Sequence, residues 1–486
     1  MSFHRKTRRK NSLKRNATMT DAPRPTILTP DLCIIGGGVA GSAMALAAAA
    51  IGLSCVVVDA APRLGRGQAA DLALDMLIQS ARTALPHVGA DDRSFAMLRD
   101  RIGRAVAAAS ANHSAERLRS LSVTLIQATA RFADPDTIAA GDIRIKPRRI
   151  VIATGGKPTV PRLDALDLIR FWSTDTIAAL ATLPPRLSIL GQEPLAYELA
   201  QAYRRLGSEV TLLRTGGHRL NVDGEILVAI DSSLHRDGVA IVDTEVRGVR
   251  PNRDGVDIVL ADDAGTVVTA SHLLVAQGRK PFTESLGLDR GEVRCVDGVP
   301  ETRLDFRTSN RRVYAIGDVA GAQMSAATLI PIQVGLVLRS AFFRQPVRLK
   351  PQLVPRVLRT VPALAMVGHS EAEARRLHRD VTIHRAALAD NERAIARGVT
   401  AGHTTIVATP RGEVLGASIL GPRAEDLIVP WAIAIEHGIS LGDMAVLALP
   451  QPSLSDTSRR AALGFVAAQL RRPWVKRAMG VLKLLG

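Results

Sequence analysis

Gly36-Gly37-Gly38-Val39-Ala40-Gly41 stands directly behind Asp31-Leu32-Cys33-Ile34-Ile35 and runs into the Ala-rich stretch 42–50. The order reads as strand, glycine turn, helix. Gly36 permits the tight turn, Gly38 lets the backbone approach a pyrophosphate, and Gly41 lets the helix lie close on the strand. The helix N-terminus is then aimed at the phosphates. The next apolar run, Ser54 to Val58, ends in Asp59, an acid about twenty residues on that suits a ribose hydroxyl. A glycine motif alone is weak. With its strand, its helix and its terminal acid, this one predicts a bound dinucleotide rather than an empty turn.

The bulk properties set limits. A chain of 486 residues is too long for one core and predicts about three domains. Hydrophobic residues make up 47%, as in a globular protein. No apolar run reaches membrane-spanning length without a charge or a loop signal. Aromatics are only 3%, which argues against a base-stacking surface and against a nucleic-acid partner. No metal site is expected.

The net charge of +17 is carried mostly by the ends. Residues 1–18 hold seven Lys or Arg and the last sixteen residues hold five, neither with an acid, so +5 remains for the body. Residues 1–29 read as a basic disordered tail, with Met19 as an alternative start. Arg8-Arg9 has no apolar run behind it, which argues against an export signal. Three cysteines without C-x-x-C spacing fit a reducing, cytoplasmic compartment. Cys33 and Cys55 lie inside expected strands and read as packing residues.

The strand–turn–helix pattern occurs a second time. Leu187 to Leu190 is followed by Gly191-Gln192-Glu193-Pro194-Leu195-Ala196, a helix over 197–206 and a strand over 209–213. Two such units suggest two nucleotide-binding domains. Arg312 to Asp318 reads as a short strand ending in Gly317-Asp318. Residues 348–465 read as an α+β unit, with strands near 404–409 and 413–420 and a helix from Pro430. In 466–486, Trp474, Ala478, Val481, Leu482 and Leu485 share one helical face under a basic cover. That helix either docks on the protein or lies on an anionic membrane as a peripheral contact through 467–486.

These landmarks, in this order, resemble the flavin-dependent pyridine nucleotide–disulfide oxidoreductases, the group of dihydrolipoamide dehydrogenase and mercuric reductase. The landmarks include Ile150 to Gly156, Val275-Ala276-Gln277-Gly278-Arg279-Lys280-Pro281, Ala315 to Asp318, Val361 to Gly368 and Gly416 to Glu425. The resemblance covers about 30–465 and is nearest to the mercuric-reductase-like branch. It implies an α/β fold of two Rossmann-like dinucleotide-binding domains, three-layer ββα in type, plus a C-terminal α+β dimerisation domain and hence a homodimer. The FAD domain would take 30–156 and 280–347, and the NAD(P)-binding-like domain 157–279. By the resemblance, Gly36, Gly38 and Gly41 hold the FAD pyrophosphate and Asp59 its adenosine ribose. Ala153, Thr154 and Gly155 wall the cofactor. Asp318, with Gly317 before it, meets the ribityl chain. Gly191 opens the site for NADP(H) or NAD(H).

Three parts of the family's chemistry are missing from the sequence. Where a redox cysteine pair belongs, the chain reads Leu64 to Asp75 without a cysteine. Aligned on Leu77 to Arg82, Asp71 falls at the second cysteine and Asp75 at the lysine that follows. Where a His–Glu dyad belongs, the chain has Leu449 to Asp456, and leucine transfers no proton. The extra C-terminal cysteine pair of mercuric reductases is absent. In the second glycine motif, Glu193 replaces the middle glycine. At about 4–6 Å and an effective dielectric near 20, its carboxylate opposes a pyrophosphate by on the order of a few kcal/mol unless it swings outward. Arg214 ends the next strand, where it either suits a 2′-phosphate, favouring NADPH, or is a solvated charge. Glu198 stands where the family's glutamate pairs with that lysine. Glu198, Asp71 and Asp75 are therefore the candidate catalytic residues.

Two functions fit this pattern. One is an FAD-dependent NAD(P)H oxidoreductase that passes electrons to a non-disulfide acceptor such as a quinone. The other is an FAD-binding pseudoenzyme with a structural or interaction role.

Overall fold

The computed structural model describes residues 26–61, 65–83, 92–111, 114–216, 220–321 and 326–483, with backbone only at 66–68, 92, 326–327, 474, 476, 481 and 482. The basic tail with Arg8, Arg9 and Met19, and Leu64, lie outside the described residues. So do the side chains of Trp474, Val481, Leu482 and Leu485, which were to form the C-terminal apolar face.

The first glycine turn sits on a parallel five-stranded sheet. Its strands run in the order Val313–Ala315, Arg149–Ile152, Leu32–Ile35, Cys55–Asp59 and Thr124–Gln127. Period-two alternation gives the middle strand two apolar faces. Leu32 and Ile34 pack on α1 (Val39–Ala50), through Met44, Ala45 and Ala48. Cys33 and Ile35 face Phe132, Ile138 and Ile145 of a small sheet on the other side. The result is helix layer, parallel sheet, small sheet. Burial pushes both strand thiols, Cys33 and Cys55, up to about 12, so they pack as apolar groups, in line with the packing reading. Helices α2 (Arg66–Thr83), α3 (Asp92–Ser110) and α4 (Ala115–Ser120) fill the crossover from the Cys55–Asp59 strand to the Thr124–Gln127 strand.

The chain leaves this sheet after Ile152 and returns at Val313. The interval builds a second parallel sheet, in the order Trp172–Ser173, His272–Val275, Arg186–Leu190, Glu209–Arg214 and Val239–Asp243. Its glycine-loop helix, α5 (Pro194–Arg205), starts three residues before the expected Tyr197, because Pro194 has the fixed φ that suits a first helical turn. Helix α6 (Gly224–Asp237) packs beside it, and an antiparallel three-stranded sheet over 246–270 covers the other face. Helix α7 (Ala326–Ala341) follows the return strand and lies against α1.

From Arg356 the sheet turns antiparallel: Arg356–Leu358, Ala363–Gly368, Val414–Gly421, His403–Ala408 and Thr382–Ala387. The two strands expected near 404–409 and 413–420 form as a hairpin. The helix expected from Pro430 is Val429–His437, and its Trp431 is fully buried. The Asp456–Leu470 helix crosses the boundary expected at 465, and a separate short helix then begins at Pro473. No helix among the described residues is long and apolar enough to cross a membrane.

A buried polar seam joins the second sheet to the third. Asp237 Oδ2 accepts from Arg205 Nε at 2.6 Å and from Gln201 Nε2 at 2.9 Å. Gln201 also pairs with the Val361 backbone in both directions. The Arg205 and Asp237 side chains are only 10% and 11% exposed, and removing one partner strands the other in a water-poor place. Asp237→Ala is expected to lower stability by about 3–5 kcal/mol, read from urea unfolding; a loss below about 1 kcal/mol contradicts this account.

Candidate functional site

Ligands of such sheets bind where the strand order reverses, and in the first sheet that point lies between Leu32–Ile35 and Arg149–Ile152. Gly36 turns there with φ +103°, and a Cβ on it would come within 2.4 Å of the Ala153 carbonyl oxygen. A Cβ on Gly41 would meet the Gly36 carbonyl at 1.8 Å, so helix and turn close on each other only as glycines. Gly38 differs: nothing lies within 4 Å of the Cβ it lacks. It also caps α1 without a side-chain hydrogen bond, which leaves the first helical N–H groups facing open space. That space, with donors and no wall, fits a pyrophosphate.

The other expected cofactor residues gather around this crevice. The Asp59 carboxylate reaches back to the dinucleotide loop and accepts from the N–H groups of Gly37 and Ala61. Ala153 is buried, Thr154 Oγ1 donates to the Phe282 carbonyl at 2.7 Å, and Gly155 turns with φ +68°. Gly317 takes φ +74°, and its N–H donates to Gln333 Oε1 at 2.8 Å. Gln333, buried on α7, was missed because a lone glutamine in an apolar helix carries no motif.

Asp318 is held by Arg279, Nε to Oδ2 at 3.0 Å. The same guanidinium bonds Asp175 and the Gly156 carbonyl. Sequence reading used Arg279 as a landmark without a role, since nothing local links it to Asp175 or Asp318. Asp71 opens onto the same cleft. It is exposed to solvent yet ringed by protein, and burial, offset by Arg279 and reinforced by Asp318 and Asp175, pushes its carboxyl up to about 6.

One turn along α2, Asp75 pairs with Arg359 at 3.3 Å. The backbone N–H of Arg359 donates to Glu198 Oε1 at 2.7 Å. Burial pushes Glu198 up to about 7, with Arg359 and Arg82 pulling down and Asp75 pushing up. Thus all three candidate acids come together along α2 and α5, and Arg359, invisible as a partner in sequence, stands between two of them.

The second switch point lies between His272–Val275 and Arg186–Leu190. Gly191 packs as the first glycine of such a loop must, since a Cβ there would meet the Ala276 carbonyl at 2.3 Å. Glu193 does not swing away from the loop facing it. Its Cγ would lie 3.5 Å and its Oε1 3.7 Å from a Cβ built on Gly278. A dinucleotide crossing this crevice must displace that side chain, so the residues fit it only in part.

Arg214 corrects both sequence expectations. It is 6% exposed, not a solvated charge. Its guanidinium is also engaged: Nε and Nη2 are bidentate to Asp243 at 2.5 and 2.6 Å, and Nη1 donates toward the Asp231 oxygens at 3.0 and 2.9 Å and to Tyr197 Oη at 3.1 Å. Two carboxylates already satisfy the charge that a 2′-phosphate would need, which removes the argument for NADPH from this residue.

At the degenerate dyad, burial works against ionisation of Asp456. Hydrogen bonds from Arg460, Arg459 and Gln451 outweigh it and hold the carboxyl below the usual range. With Leu449 in place of a base, these bonds lock Asp456 as a structural anion.

Comparison with known proteins follows the same outline. Residues 30–331 match the family described as pyridine nucleotide-disulphide oxidoreductase, and residues 354–462 match its dimerisation domain. A mercuric reductase of Staphylococcus aureus is 30% identical over 347 residues, 70% of this chain and 63% of that protein. The chain thus spans under two thirds of the length of several of the mercuric reductases it matches. A dihydrolipoyl dehydrogenase of Thermus scotoductus is 28% identical over 453 residues, covering 89% of this chain and 97% of its own. Among solved structures, the HOCl-induced flavoprotein disulfide reductase RclA of Escherichia coli superposes with a TM-score of 0.79 at 21% identity, covering 90% of this chain and 99% of that one.

A side chain at Gly38 fills the open cradle. Gly38→Glu is expected to yield a folded protein without bound flavin, read from the visible absorbance of the purified protein and its circular dichroism; retained flavin contradicts the assignment.

Proposed function

This chain belongs to the pyridine nucleotide-disulphide oxidoreductase family, and from that premise we propose an FAD-dependent oxidoreductase that passes electrons from NAD(P)H through flavin to a non-disulfide acceptor such as a quinone. One observation carries the reading. The first crevice keeps its open glycine loop and its Asp318–Arg279 pair, while α2 beside it offers Asp71 and Asp75 and contains no cysteine.

In this reading FAD supplies hydride acceptance and release, and the chain does the rest. The N–H groups of the Gly36–Gly41 loop bind the pyrophosphate, and Asp59 accepts from the adenosine ribose. Arg279 holds the Asp318 carboxylate in place for the ribityl hydroxyls. Gln333 fixes the turn at Gly317. The Glu193 carboxylate weakens the nicotinamide nucleotide, whether NADH or NADPH.

A pseudoenzyme with a structural flavin is the second reading. Two observations favour it: Glu193 in the second crevice and the locked Asp456. The reading includes dimerisation through 348–465, supported by the matched dimerisation domain at 354–462. Residues 467–486 would add salt-sensitive contact with an anionic membrane from the cytoplasmic side, supported by five basic residues there.

Anaerobic NADH or NADPH is expected to bleach the flavin, a quinone to restore it, and replacement of all three cysteines to leave both steps intact. Glu193→Gly should tighten the nucleotide about tenfold or more, the equivalent of about 1.4 kcal/mol. A flavin that no nucleotide reduces, even in Glu193→Gly, overturns the NAD(P)H oxidoreductase in favour of the pseudoenzyme. Sedimentation at micromolar concentration and flotation on anionic vesicles, each with and without 467–486, check assembly. The dimer should survive the deletion and the flotation should not.

A further inference from the structure

Asp71 and Asp75 stand one turn apart on one face of α2. At the cleft end, Asp71 faces the charges of Arg279, Asp318 and Asp175. One turn along, the half-exposed Asp75 meets Arg359 at 3.3 Å, and the Arg359 N–H donates to Glu198 at 2.7 Å. Glu198 itself is 5% exposed, with Arg359, Asp75 and Arg82 as the charges that act on it. Three carboxyls therefore run from the exposed cleft mouth, past an ion pair whose Asp75 and Arg359 side chains are 43% and 39% exposed, to the buried Glu198. The described lining includes arginines but no lysine and no thiol.

We infer that Asp71 and Glu198 are the two ends of a carboxyl row, linked through the Asp75–Arg359 ion pair, and that these two ends take up one proton for every two electrons delivered to the flavin and return it when those electrons leave. The inference rests on the FAD reading above and deepens it. A hydride donor brings two electrons and one proton, and both go to the flavin ring. That adds one negative charge beside the row. The row answers it: a carboxylate near an arriving negative charge gains proton affinity. Asp71, at the mouth, receives the proton from solvent, and Glu198, at the buried end, stores it. A quinone then takes two electrons and one proton from the ring and one proton from the row. The products are a hydroquinone, oxidised flavin and a row returned to its starting charge, so charge and protons balance. The positions of Asp71 at about 6 and Glu198 at about 7, both raised chiefly by burial, put the row in the range where exchange near neutral pH is easiest.

The test is potentiometric titration of the FAD-loaded protein with a chemical reductant and mediator dyes, from about pH 6 to about pH 8. The slope of midpoint potential against pH gives protons taken up per two electrons, without turnover. The wild type is expected to take up two. Glu198→Gln keeps an oxygen for the Arg359 N–H, and Asp71→Asn alters only the cleft mouth. The double variant is expected to take up one. Two protons in the double variant place the second on the flavin ring and overturn the inference, as does one proton in the wild type. Quinone reduction that persists alongside either result leaves the proposed function standing. A protein that retains no FAD overturns both.

Discussion

The Arg279 guanidinium is the junction on which the first crevice depends. It ties together the Gly156 carbonyl just beyond the sheet, Asp175 at the entry to the second sheet, and Asp318 where the chain returns. Those points are separated by long stretches of chain, and no local propensity brings them into register. An arginine suits the task because its planar fork of donors meets several acceptors at once and stays charged. Without it, Asp318 and Asp175 would face Asp71 as uncompensated like charges, and the wall opposite the glycine loop would have no fixed position.

A second layer of control lies in the seam along α5. Glu198 and Gln201, one turn apart, both bond the backbone of 359–361, while Arg82 on α2 reaches Glu425 in the antiparallel unit at 2.9 Å. The same helices that carry these acids also anchor the antiparallel unit. A change of charge at Glu198 is therefore felt at a hydrogen bond between units as well as near the cofactor. Buried polar contacts of this kind contribute little net energy but specify one arrangement strongly.

Much of the fold was legible in the sequence because it is written in local signals. Glycines 36, 38 and 41 each answer a distinct steric demand, and alternation in Leu32–Ile35 assigns one face to helices and one to the small sheet. The two-unit plan and the strands near 404–409 and 413–420 were equally plain. What stayed hidden depends on contacts far apart in the chain. Arg214 read as a ligand for phosphate or as a solvated charge. Only the folded chain brings Asp231 and Asp243 onto its guanidinium. Arg359 and Gln333 had no motif at all, and their roles come from the helices that happen to face them. The acids on α2 were noticed through what they replace, but their common face with Glu198 required the packing of α2 on α5.

The distribution of sulfur has a consequence for how this protein meets reactive small molecules. Cys33 and Cys55 are sealed in strands with their thiols kept protonated, and Cys295, on the surface, is also raised by partial burial and by Glu301. Alkylating agents, peroxides and thiol-seeking metal ions act on thiolates, and the flavin crevice offers them none. On the function proposed above, a flavin walled by carboxylates would keep working where a centre built on sulfur is capped or over-oxidised, and the crevice would hold its rate through electrophile and oxidant stress.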